Sequence, residues 1–183
     1  MSATLVLVRH GETDWNAEGR LQGQTDIPLN EVGREQARAA GRELAGSTWD
    51  VLVSSTLGRA METAELIGEN LGLPLGEIME GLQERHYGNA EGREVHALPR
   101  VEIDILLRSA EPEEKVAQRG IAALHELVLR HEGKNIVAVA HGTLIRLTLD
   151  VIKGGAKTRI LRNGQVVEVD IALLHEFMRT AAV

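Results

Sequence analysis

No cysteine occurs among the 183 residues, so neither disulfides nor thiolate chemistry can contribute to fold or function. Aromatic side chains are nearly as scarce, with two Trp, one Tyr and one Phe. Because 43% of the chain is nevertheless hydrophobic, the core must be aliphatic, built from Leu, Val, Ile and Ala. Cations are in the minority: 20 Lys and Arg face 27 Asp and Glu, for a net charge of −7. That balance argues against a nucleic-acid partner, whose phosphate backbone rewards clustered cations. It does not exclude a local basic pocket that takes a small anion. Long apolar runs are missing too. The first, Thr4 to Val8, spans five residues and has no basic segment before it, too short for a signal-peptide core or a membrane span. A cytoplasmic protein without a membrane partner is the expectation.

What the chain does have is alternation. Short β-rich apolar runs take turns with helical patterns, the signature of an α/β fold around a largely parallel sheet. The length favours one domain over 1–183, with no repeat, low-complexity tract or linker. Thr4-Leu5-Val6-Leu7-Val8 reads as a buried central strand. A glycine- and polar-rich stretch from Gly11 to Pro28 follows, long for a loop and therefore a functional candidate. Asn30 is placed to cap a helix that carries Val32, Gln36, Ala40 and Leu44 at helical spacing up to Gly46. Asp50 to Val53 reads as a second strand, and the next helix has Ala60, Ala64, Ile67 and Leu71 on one face with Gly72 as its stop. Residues 74–110 show no regular pattern. Pro112 suits the first turn of a helix bearing Ala117, Ile121, Leu124 and Val128, which ends near Gly133. Asn135 to Ala140 reads as a strand, Thr143 to Ile152 as a helix, and Gln165 to Leu174 as a last strand after the turn Asn163-Gly164.

Two strands run into a His-Gly pair: His10-Gly11 after the first and His141-Gly142 after the later one. Ligands of open α/β sheets bind outside the carboxyl ends of the strands, so two such pairs can meet at one edge. A lone histidine is more often a hydrogen-bonded core residue than a catalyst. Here Arg9 sets a permanent cation beside His10, which disfavours a divalent metal and favours a phosphate. A neutral imidazole with its second nitrogen tied to a carbonyl is a competent nucleophile towards phosphorus. Arg59, in the first turn of a helix, can return to the same edge, and Asn16 and Thr13 add neutral donors. Together Arg9, His10, Asn16, Arg59 and His141 would form a cationic cradle for a tetrahedral dianion. Phosphoryl transfer also needs a proton for the leaving oxygen, and Glu84 in Leu82-Gln83-Glu84-Arg85-His86-Tyr87-Gly88 is the candidate. No H-x-H or H-E-x-x-H spacing points to a metal.

Arg9-His10-Gly11-Glu12-Thr13 with Asn16, then Gly19-Arg20-Leu21-Gln22-Gly23, Pro28-Leu29 and Gly33 resemble the histidine phosphatase superfamily. That group includes the cofactor-dependent phosphoglycerate mutases and many small phosphatases. Ser54 to Ala60 with Thr63-Ala64, then Glu84, then Ala140-His141-Gly142 match its remaining blocks in order, over about residues 4–170. The resemblance implies a phosphoglycerate mutase-like three-layer αβα sandwich with a mostly parallel sheet. It implies that His10 is phosphorylated in turnover, that Arg9, Asn16, Arg59 and His141 hold the phosphate, and that Glu84 is the proton donor. Thr13, Gln22, Gly23 and Gly142 would join substrate binding, with Arg85 and Tyr87 contacting a substrate carboxylate as in the mutases.

Against a mutase stand four features. Ala90-Glu91-Gly92 matches the phosphatase version, and Val95 or His96 occupies the place of the mutase lysine. The paired arginines of the mutase insertion are not evident in 93–111, and Thr143 stands where mutases have asparagine. A mutase must also shield its phosphoenzyme from water with cations and a closing lid. The stretch from Arg93 to Arg119 holds five basic and six acidic residues. The expectation is a metal-independent phosphomonoesterase acting on a small phosphorylated metabolite, a phosphorylated carboxylic acid among the options. A mutase using 2,3-bisphosphoglycerate as cofactor is the alternative, and a non-catalytic phosphate-binding or regulatory module the third reading. Homo-oligomerisation is left open.

Overall fold

A computed structural model describes residues 3–181. Five strands, β1 (Leu5–Arg9), β2 (Val51–Ser55), β3 (Glu77–Met79), β4 (Ile136–Ala140) and β5 (Val166–Val169), form one sheet in the order β3-β2-β4-β1-β5. The first four are parallel and β5 runs antiparallel to β1. Between and around them lie α1 (Asp14–Ala17), α2 (Glu31–Leu44), α3 (Gly58–Leu71), α4 (Arg100–Leu106), α5 (Glu113–Arg130), α6 (Gly142–Ile152) and α7 (Ile171–Ala181).

The period-2 alternation of a strand sends neighbouring side chains to opposite faces. Leu5 and Leu7 of β1 accordingly join Ile136, Ala138 and Ala140 of β4 in a core with α5, α6 and α7. Val6 and Val8 join Leu52, Val137 and Val139 in a second core with α2 and α3. The result is the expected αβα sandwich. Its layering follows from the handedness of crossovers. From β1 the chain advances through α2 and α3 to the β3 edge, then reverses through α5 to insert β4 beside β1. Reversal moves the later helices to the opposite face. β1 and β4 are therefore adjacent strands whose following helices leave on different faces, which opens a crevice at their carboxyl ends.

Several expectations change in detail. The last strand stops at Val169 rather than running to Leu174, because Asp170 starts a helix: its carboxylate accepts from the Leu173 N–H at 3.0 Å and its carbonyl from Leu174. Val32 lies outside the buried stripe of α2, being 55% exposed, and Gly33, Ala37, Ala40, Gly41 and Leu44 face inward. Ala40 and Leu44 hold as expected, whereas Val32 and Gln36 fall outside because a strict four-residue step drifts from the 3.6-residue turn. The irregular 74–110 region contains the short edge strand β3 and the helix α4. Pro112 stands just before α5 instead of inside its first turn, and α6 begins one residue early, at Gly142. The Asn30 cap and the Gly72 stop hold: Asn30 Oδ1 accepts from Gly33 N at 2.8 Å, and Gly72 takes a left-handed φ of 63°.

Candidate active site

His10 follows the last residue of β1 and its backbone N–H donates to Ala140 O of β4 at 3.0 Å, so it sits where the crevice opens. Its Nδ1 lies 2.6 Å from the Gly11 carbonyl, which can only accept. The proton is therefore on Nδ1, and Nε2 presents its lone pair. Burial, with the charges of Arg59 and Arg9, holds this imidazole well below the usual 6.5. A buried, neutral and oriented imidazole is the form needed for attack on an electrophile. The loop that carries it is seated by glycines. A methyl group at Gly11 would come within 2.2 Å of Gly33 O, and one at Gly33 within 2.1 Å of Glu12 O, so the two backbones touch.

Arg59 is 1% exposed and reaches back over His10 from the first turn of α3. Its Nη2 donates to Gly23 O at 2.6 Å and Nη1 to Thr25 O at 3.0 Å, while Nε points at His10 Nε2 from 3.4 Å. With its amide turned so that the nitrogen donates to Thr13 Oγ1, Gln22 offers its oxygen to Arg59 Nε at 2.9 Å. Burial lowers the Arg59 guanidinium to about 10, leaving it charged at neutral pH. Asp26 fixes the start of the same helix, accepting from Gly58 N at 2.7 Å, in the place of a local cap. Arg9, held by Leu161 O at 2.5 Å, has no partner for its buried Nε among the described residues.

His141 is fully buried, with its ring 5.1 Å from that of His10. Nε2 lies 2.8 Å from Ser55 Oγ at the end of β2, and Nδ1 has no partner among the described residues. Burial and the nearby cationic groups, Arg59 foremost, depress its pKa well below 6.5 as well. Asn16 spends its oxygen on Thr13 N and Asn163 Nδ2, both at 3.2 Å, which leaves its own N–H groups for the cleft. Glu84 is buried, and its carboxylate accepts from Arg85 N, Leu144 N and Thr143 N at 2.8–3.1 Å, at the positive end of α6. Arg119 fastens the chain beneath it by donating to Gly81, Gln83 and Glu84 carbonyls.

These side chains surround a cleft of about 430 Å³ that takes in Arg9, His10, Asn16, Gln22, Gly23, Arg59, Glu84, Tyr87 and Gly142. Four arginines line it (Arg9, Arg20, Arg59, Arg146) against one carboxylate, a basic site on an acidic protein. Three expected contacts do not line it. His141 lies fully buried beneath the lining, beside His10. Thr13 lies behind the wall with its hydroxyl on Asn16 and Gln22, because it caps α1. Arg85 turns away: Nε donates to Glu111 O at 2.8 Å and Nη1 to Glu113 at 2.9 Å, while the guanidinium packs on the Tyr87 ring. Ser55, Asp26, Arg119, Asn163 and Arg146 are site residues that sequence reasoning passed over. Only Ser55, inside the block Ser54 to Ala60, and the Asn163-Gly164 turn carry a local signal, and neither signal assigns a role in the site. Among the described residues, no cluster of three or more His, Asp or Glu is placed to hold a metal, and no helix is long and apolar enough to cross a membrane.

The profile of the histidine phosphatase superfamily (branch 1) matches residues 5–175. The uncharacterized phosphatase PhoE of Bacillus subtilis is 42% identical over 151 residues, 82% of this chain and 78% of its own length. A metal-independent phosphoserine phosphatase of Arabidopsis thaliana is 37% identical over 157 residues, 78% of this chain and 65% of its own. Among solved structures, YhfR of Bacillus stearothermophilus superposes with a TM-score of 0.82 at 31% identity, covering 92% of this chain and 91% of that one.

Proposed function

The chain belongs to the histidine phosphatase superfamily, and from that premise we propose that it hydrolyses a small phosphorylated carboxylic acid, with His10 carrying the phosphoryl group in passing. The observation that carries this reading is the Nδ1 contact to Gly11 O, which leaves His10 Nε2 as a neutral nucleophile flanked by the buried Arg59 and the half-buried Arg9. Nε2 forms its bond to phosphorus as the phosphorus–oxygen bond to the alcohol breaks, and Glu84 in its protonated form gives the leaving oxygen its proton. Water then attacks the phosphohistidine, returns a proton to Glu84, and frees inorganic phosphate and the imidazole. Arg9, Arg59, Asn16 and His141 hold the three peripheral oxygens, and fixed donors in a buried site cost little reorganisation as charge develops. The reaction needs no metal, since the arginines supply the positive charge.

A mutase must keep water from the phosphohistidine. From residues 93–111 only His96 lines the cleft, so the segment that would close over the site contributes one side chain. This favours hydrolysis over transfer back to substrate. The carboxylic acid is supported by the cationic wall beyond the phosphate end and by the phosphoserine phosphatase activity for which the plant relative is named. The test is a panel of phosphomonoesters, including phosphoserine and 3-phosphoglycerate, run with and without 2,3-bisphosphoglycerate. Release of free phosphate, unaffected by the bisphosphate, is expected. Isomerised 2-phosphoglycerate as the main product would overturn it.

A further inference from the structure

Of the four arginines that line the cleft, three are anchored by at least one hydrogen bond to a backbone carbonyl. Arg59 donates to two carbonyls and Arg9 to Leu161 O. Arg20 is paired with Glu18 at 2.6 Å and reaches Gly92 O. Arg146 makes no hydrogen bond among the described residues. Its nearest acid, Asp150, follows one turn later on α6, with Oδ2 at 3.7 Å from Nη1, beyond hydrogen-bond reach. Asp150 is itself buried and committed: Oδ1 accepts from Thr158 N at 2.5 Å, and Oδ2 also faces Lys157 Nζ at 3.8 Å. One carboxylate shared by two cations leaves a positive charge uncompensated.

Position adds to charge. Thr143 and Arg146 are three apart on α6 and so share a face, about 5–6 Å apart at Cβ. Thr143 N is one of the three donors on Glu84, and Thr143 Oγ1 meets the Tyr87 hydroxyl at 2.6 Å. Arg146 therefore leaves α6 roughly one helical turn beyond the residue whose N–H holds Glu84, and the Arg146 and Glu84 side chains line the same cleft. A two- or three-carbon acid spans such a gap. A planar fork of donors suits a carboxylate better than it suits a neutral hydroxyl. Arg85, the residue that the sequence offered for this contact, is engaged elsewhere.

We propose that Arg146 determines substrate specificity by binding the carboxylate on the alcohol portion of the phosphomonoester. This rests on the phosphatase reading above. The experiment compares 3-phosphoglycerate with glycerol 3-phosphate, which has the same length and carries a hydroxymethyl group in place of the carboxylate. The full chain is assayed as wild type, Arg146→Gln, Arg146→Lys and Arg85→Ala, and the ratio of kcat/KM values for the two substrates is read. Wild type should favour the carboxylate substrate at least tenfold. Arg146→Gln should lower that ratio about 10–100-fold, chiefly through KM, as expected for a lost charged hydrogen bond. Arg146→Lys, which keeps the charge and loses the fork, should fall between, and Arg85→Ala should move the ratio less than either. A ratio within twofold of wild type in Arg146→Gln, a wild type with no preference, or Arg85→Ala taking the larger loss would overturn the assignment. A phosphohistidine trapped in wild type alongside any of these leaves the phosphatase reading standing. No phosphohistidine and no turnover of either substrate would remove both.

Discussion

His10 acts as a nucleophile only if its proton stays on Nδ1 and a phosphate is pressed against Nε2, so its arginines matter through geometry as well as charge. Arg59→Lys keeps the charge but cannot reach Gly23 O, Thr25 O and a ligand at once. Its kcat/KM should fall roughly 10–1000-fold with vanadate inhibition weakened in parallel, which steady-state assays of both will check. Wild-type behaviour with both substrate and vanadate would make Arg59 a structural residue. Glu84→Gln removes the proton and nearly keeps the side chain's shape: its amide oxygen can still accept from Arg85 N and Leu144 N, while its NH2 gives up the bond from Thr143 N. Its cost should be large for an alkyl phosphate and small for p-nitrophenyl phosphate, whose leaving group needs no acid. Equal losses would remove Glu84 from that role. His10, Arg9, Arg59, Glu84 and His141 were legible because each sits in a short block beside a strand or helix end. The partners of Ser55, Asp26 and Arg119 were not, because these contacts run across 86, 32 and 35 or more positions, and no local pattern records such a partner. Arg85 misled for the opposite reason: adjacency to Glu84 in sequence says nothing of direction, and successive side chains of an extended segment diverge.

The elements were legible where an apolar pattern met a clear boundary residue, as in α3, which stops at Gly72, and in β4, which runs into His141-Gly142. They failed where one signal stood alone. Val166 to Val169 looked continuous with the apolar residues of α7 until Asp170 turned the chain, and β3 is too short to show a period. The contact between the His10 loop and α2 is a property of neither element by itself. Gly33→Ala should push the loop from the helix, costing about 1–3 kcal/mol by denaturant unfolding and lowering kcat by more than the stability loss explains. Gly46→Ala, with nothing within 4 Å of the added methyl, is the matched comparison and should stay within about 0.5 kcal/mol of wild type. Equal effects at the two glycines would show that the close approach does not constrain the loop.

Across the whole molecule, an excess of seven negative charges coexists with a cleft of four arginines, and two histidines are kept neutral there, His10 in its lining and His141 buried behind it. Burial and Arg59 depress both, so between 6.5 and their lower folded values the unfolded chain binds protons that the folded one refuses. Stability is then lost as pH falls through this window, at up to about 1.4 kcal/mol per pH unit for each histidine. His10→Gln should make the fall between pH 6 and 5 shallower by about that amount in urea titrations, and an unchanged slope would mean that His10 takes up its proton in the folded state. The same neutrality underlies the chemistry. The most direct measurement is acid-sensitive capture of the phosphoenzyme: the protein is quenched during turnover of a 32P-labelled phosphomonoester and the labelled residue is mapped. Label on His10, stable in base and lost in acid, and absent from His10→Ala together with a turnover loss on the order of a thousandfold or more, is the predicted result. Turnover by wild type without any such label, or label that persists in His10→Ala, would contradict it.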